Sequence, residues 1–135
     1  MNQTSDLQRV LVVDDNDMNM RLFTVILEAH GYRTLVARDG KKGLALAGEF
    51  RPDLIIMDIQ LPDMSGLEVT KLLKQDAKLR KIPVIAVTAF ALSGDEATCR
   101  EAGCDAYLTK PISMKGFLSA VEQLLRRGKA RIQTV

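Results

Sequence analysis

The stretch that decides the fold is "LIIMDIQLPDMSG", residues 54–66. Four apolar residues run into a carboxylate, Asp58, and then into a loop that holds Pro62, Asp63 and Gly66. Such a run is too short for a helix. Bounded by turn-forming residues, it suits a strand covered on both faces. An acid at the end of a greasy strand needs a reason, and the pattern occurs twice: "VLVVDD", residues 10–15, ends on Asp14 and Asp15.

Working outward from these two runs, similar short aliphatic segments recur as "YRTLVA" from Tyr32, "PVIAV" from Pro83 and "AYLT" from Ala106, while the first begins as "RVLVV" at Arg9. The segments between them carry helical spacing. Leu22, Phe23, Ile26 and Leu27 form one apolar stripe, ended by Gly31, and Met114, Phe117, Leu118, Val121, Leu124 and Leu125 form a stronger one. "SGLE" at Ser65–Glu68 and "SGDE" at Ser93–Glu96 fit the capping box that opens a helix. "DGKKGLALAGEF" is the weakest helix, with three glycines and an apolar face expected from Leu44, Ala45 and Ala47. Strict alternation of strand and helix implies a parallel α/β sheet with right-handed crossovers and helices on both faces.

Composition narrows the class. At 135 residues and 47% hydrophobic, the chain suits one domain with its own core. It has no stretch of membrane-spanning length, and its start is polar, without the apolar core expected of a signal peptide. Between Arg9 and Leu125, 15 basic residues meet 16 acidic ones, so the body is not a nucleic-acid surface. Arg126, Arg127, Lys129 and Arg131 lie in a basic tail, residues 126–135, read as a solvated, frayed terminus. Residues 1–8 are a lead and 9–125 the domain. Cys99 and Cys104 read as reduced, buried thiols, and the single histidine, His30, as a helix-end residue rather than a zinc ligand or phosphoryl donor.

In open parallel sheets ligands bind outside the carboxyl ends of the strands. Asp14 and Asp15 follow the first strand, Asp58 the third, Thr88 the fourth and Lys110 the fifth, so all five gather at one edge. Three neighbouring carboxylates repel one another unless a cation sits among them. Oxygen ligands with few protein carboxylates suit magnesium. A hydroxyl and an ammonium beside a hard cation are donors that call for an anion such as a phosphoryl group, and a carboxylate can itself become an aspartyl phosphate. Asp58, at the centre, is best placed.

"VLVVDD", "DLIIMDIQLPDMSGLEV", "PVIAVTA" and "AYLTKP", with 30 residues from Asp58 to Thr88 and 52 from Asp58 to Lys110, resemble the receiver domain of two-component response regulators over roughly residues 8–126. The resemblance implies a flavodoxin-like (βα)5 fold with strand order 2-1-3-4-5. It implies that Asp58 accepts phosphate from a histidine kinase or phosphotransfer protein, and that Asp14, Asp15, Asp58 and the main-chain carbonyl of Gln60 hold Mg2+. Lys110 would pair with a phosphoryl oxygen, Thr88 would hydrogen-bond another, and Tyr107 would swing inward as the switch, unless it is a plain half-buried strand aromatic. A cis Lys110–Pro111 bond is implied too. Gln60 and Phe90 flank the route of an attacking water.

At finer grain "DDNDMNMRLF", "VTAFALSGDE" and "AYLTKPIS" look most like the single-domain DivK-type regulators, cytoplasmic proteins that engage polar histidine kinases in cell division and the cell cycle. Such a chain is a phosphoacceptor that catalyses its own phosphoryl transfer and loss. Its output would pass to a protein partner through the fourth helix, fifth strand and fifth helix. The rival readings are a receiver cut from a hybrid kinase, an interaction module independent of phosphorylation, an aspartate-nucleophile phosphatase and a flavin protein. The phosphatase is disfavoured by Gln60, which stands where those enzymes place a second acid, and flavin by the acids after the first strand.

Overall fold

The structure, a computed structural model, describes residues 8–88 and 95–133. The elements are β1 (Arg9–Val13), α1 (Asp17–Ala29), β2 (Arg33–Ala37), α2 (Gly40–Phe50), β3 (Leu54–Asp58), α3 (Gly66–Gln75), β4 (Val84–Thr88), α4 (Asp95–Ala102), β5 (Ala106–Thr109) and α5 (Met114–Gln133). All five strands run parallel in the order β2-β1-β3-β4-β5. The alternation and the implied strand order are both borne out.

Every residue of β3 and β4 is buried, and β1 is buried from Val10 to Val13, as central strands with helices on both sides must be. Successive residues alternate between two cores. Val10, Val12, Leu54, Ile56, Ile85 and Val87 face Phe23 and Leu27 of α1 and Phe117 and Val121 of α5. The Phe23 and Phe117 rings lie 4.9 Å apart. Leu11, Val13, Ile55, Met57 and Val84 face Ala47 of α2 and Val69 and Leu73 of α3.

The helical stripes need correction at their edges. Leu22 and Met114 are 43% and 56% exposed, and Met20 takes the inward place expected of Leu22. In α2 the buried positions are Gly40, Gly43 and Ala47, while Ala45 is exposed and Leu44 only partly buried. The glycines lowered helix propensity yet form the packing face. A Cβ on Gly43 would stand 3.1 Å from Val13 Cγ2, so α2 lies on β1 so closely that a larger residue would make Val13 give by a few tenths of an ångström.

The Ser65–Glu68 capping box is present in full, whereas Ser93 and Phe90 lie outside the described residues. The helix α5 runs on to Gln133, through residues 126–133 of the basic tail. His30 caps α1, its Nδ1 2.9 Å from the Ile26 carbonyl oxygen, which calls for a protonated Nδ1. Both cysteines are free thiols. They occupy the paired positions of a Schellman turn: the Cys104 amide donates to the Cys99 carbonyl, the Gly103 amide to the Arg100 carbonyl, and Gly103 has φ +106°.

Candidate functional site

The carboxyl ends of β1, β3, β4 and β5 form the edge where Asp14, Asp58, Thr88 and Lys110 fall. Asp14 (1% exposed) and Asp58 (3%) are buried, and Asp15 is exposed. One carboxylate oxygen from each of Asp14, Asp15 and Asp58 can be chosen so that all lie within 4.8 Å of one another. Thr88 is buried at the end of β4. The Lys110 amide donates to the Thr88 carbonyl (2.8 Å), which ties the end of β5 to the end of β4. Lys110 Nζ reaches back to 3.4 Å from Asp58 Oδ2. The Lys110–Pro111 peptide is cis, as the family resemblance implied.

Local turns aim the acids. Asp14 Oδ1 accepts from the Asn16 amide (2.8 Å), and Asn16 in turn caps α1 by accepting from the Asn19 amide (2.9 Å). Asp58 Oδ1 accepts from the Gln60 amide (3.0 Å). Gly66, at the start of α3, sits so near the strand that an added Cβ would lie 2.1 Å from the Asp58 carbonyl oxygen. Its amide donates to the Ile59 carbonyl (2.8 Å).

The other Asp14 oxygen, Oδ2, is buried with no hydrogen-bond partner among the described residues. Burial is the main cause that raises the Asp14 carboxyl from 3.8 to about 6, and the Asp58 charge adds to it. The Asn16 amide and Lys110 partly offset that rise. An orphaned anionic acceptor beside two further carboxylates fits a hard divalent cation with oxygen ligands, and magnesium suits that donor set.

Tyr107 lies on β5, three residues before Lys110. It is half-buried on β5 in register with Ala86, and with Cys99, Arg100, Cys104, Asp105 and Ala106 it lines a cavity of about 220 Å³ beside α4. Two residues with no marked role in the sequence stand out beside the site. Asp63, one more acid in a loop by sequence, holds the start of α2. Gly66 has the sequence character of a turn residue, and its close approach to β3 becomes visible only in the packed fold.

A doubly wound 2-1-3-4-5 sheet with an acid cluster and a lysine at its carboxyl edge has the arrangement of a receiver-type signalling domain. The response regulator receiver domain model matches residues 10–122, and the chain belongs to that family. It is 57% identical over 116 residues to the polar-differentiation response regulator DivK of Brucella anthropi, a match spanning 86% of this chain and 94% of that protein. DivK of Brucella ovis is 56% identical over the same shares. Among solved structures, a CheY-like receiver domain protein from Methanospirillum hungatei superposes with a TM-score of 0.86 at 30% identity, covering 93% of this chain and 98% of that one. The receiver domain of a sensor histidine kinase from Pseudomonas aeruginosa, crystallised with magnesium coordinated in its active-site cleft, gives 0.82 at 33% identity, over 88% and 98%.

Proposed function

We propose that this receiver domain works as a DivK-type response regulator that takes a phosphoryl group onto Asp58 and thereby changes which protein it binds. The observation that carries this reading is the orphaned Asp14 Oδ2 within a three-carboxylate cluster, beside an Asp58 faced by Lys110. Asp14, Asp15, Asp58 and the Gln60 main-chain carbonyl would hold Mg2+. When bound, that ion supplies charge neutralisation for the acids and for an incoming phosphoryl group.

A carboxylate oxygen of Asp58 attacks phosphorus, an O–P bond forms, and the N–P bond of a phosphohistidine donor breaks. The imidazole leaves with the bonding pair and takes up a proton. Lys110, 3.4 Å from Asp58 Oδ2, is placed to follow the new negative charge. Thr88 hydrogen-bonds a second phosphoryl oxygen. Two charge-assisted bonds of about 1.5–3 kcal/mol each are of the size needed to invert a 1:99 equilibrium, about 5.5 kcal/mol. Tyr107 and the α4-β5-α5 face carry that shift to a protein partner.

Identity of 57% to DivK, over nearly that protein's whole length, favours control of cell division by polar kinases in the cytoplasm over a receiver taken from a hybrid kinase. The test is incubation with acetyl phosphate and Mg2+. The native chain should gain one hydroxylamine-labile phosphoryl group, and Asp58→Asn none. Equal labelling of both, or of neither, would refute the assignment.

A further inference from the structure

The loop between β3 and α3 is fastened at both ends. At its inner end Gly66 donates to the Ile59 carbonyl (2.8 Å), Gln60 pairs with Ser65 in an antiparallel bridge, and the Gln60 amide reaches Asp58 Oδ1 (3.0 Å). At its outer end Asp63 grips α2: Oδ1 accepts from the Gly40 amide (2.8 Å) and Oδ2 from the Lys41 amide (3.0 Å). These are two of the amides that a helix N-terminus leaves without an internal acceptor.

The helix already has its own cap. Asp39 accepts from the Lys42 amide (2.7 Å), and the Gly43 amide donates to the Asp39 carbonyl (3.0 Å). Asp63 comes from 23 residues away to complete the set, so its grip joins two separate parts of the chain. The neighbouring Met64 is packed there too: a Cβ on Gly40 would lie 2.5 Å from Met64 Cγ. The Gly40 amide is the leading cause that holds the Asp63 carboxyl below the usual range, so it stays ionised at neutral pH.

We propose that Asp63 is a positioning residue for the metal site: by clamping the loop to α2 it presets the Gln60 carbonyl and the Gln60 amide that steadies Asp58. Groups that orient a ligand without touching the ion set much of a site's affinity, and a loop held before the ion arrives loses less freedom on binding. The inference rests on the proposed Mg2+ site and adds a residue with no direct contact to it.

A plain helix cap makes a different prediction, and Asp39 provides the control. Asp63→Ala and Asp39→Ala each remove a carboxylate from the same helix terminus, but only the first releases the loop. Two readouts apply to the full chain: Mg2+ titration by calorimetry, and hydrogen exchange at the Gln60 amide in metal-free buffer. Asp63→Ala should weaken Mg2+ binding about tenfold and speed exchange at Gln60. Asp63→Asn, which keeps one acceptor, should fall between it and the native chain, and Asp39→Ala should match the native chain in both. Equal effects of the two alanine variants, or none from Asp63→Ala, would overturn the proposal. Absence of Mg2+ binding by the native chain would instead sink the metal site itself, while exchange at Gln60 still tests whether Asp63 holds the loop.

Discussion

Replacing Asp14 by Asn should make the metal-free protein more stable, although it alters a residue at the centre of the site. Asp14 titrates near 6 in the folded chain against 3.8 ordinarily, so folding strengthens its hold on a proton. The stability linked to that proton is complete below about pH 3.8 and is lost as pH rises through about 6. At pH 7 the ionised Asp14 therefore opposes folding by about 3 kcal/mol. At pH 5 the penalty is about half as large, and near pH 3.5 it is almost nil. Asparagine keeps the Oδ1 that accepts from the Asn16 amide and replaces Oδ2, which has no partner among the described residues, by a neutral N–H₂ donor beside the Asp58 carboxylate.

Urea denaturation in EDTA should thus show Asp14→Asn about 2–3 kcal/mol more stable than the native chain at pH 7, with the gain shrinking toward pH 3.5. Excess Mg2+ should reverse the order, because the native chain gains binding free energy that the variant has largely lost. A variant less stable than the native chain in EDTA at pH 7 would refute the account of Asp14. So would a gain that does not vary with pH.

Gly66→Ala should destabilise the fold by at least about 2 kcal/mol, since its Cβ would meet the Asp58 carbonyl oxygen, while the exposed Gly48→Ala should not lower thermal stability. The Cys104 thiol, pushed up to about 12 chiefly by burial, should react slowly with Ellman's reagent at pH 8 in the native state and rapidly in urea.

Strand runs and the acids that end them were legible because period-two burial and a parallel sheet leave each central strand almost wholly apolar. An acid can then appear only where the strand stops, as Asp14 and Asp58 do. Helix faces were less legible. Leu22 and Met114 extend their stripes in hydropathy but not in packing, and Gly43 packs because it is small, which hydropathy does not register. Asp63 was the hardest to read. Its partners are main-chain amides 22 and 23 residues away, and amides are the same at every position, so no residue type near Gly40 marks the contact.

The unsatisfied Asp14 oxygen and the affinity of the cluster for a cation have one physical origin. Had the fold supplied an N–H to Oδ2, the apo protein would be more stable, and an arriving ion would have to displace that donor before it could bind. A ligand at about a hundred times its dissociation constant stabilises a fold by about 2.7 kcal/mol. That matches the penalty of about 3 kcal/mol set by Asp14 at neutral pH. Binding at that level therefore restores what the acid cluster removes from the empty fold. The remaining stability must come from the two cores on either side of β1, β3 and β4, strands whose buried side chains are all apolar until their ends.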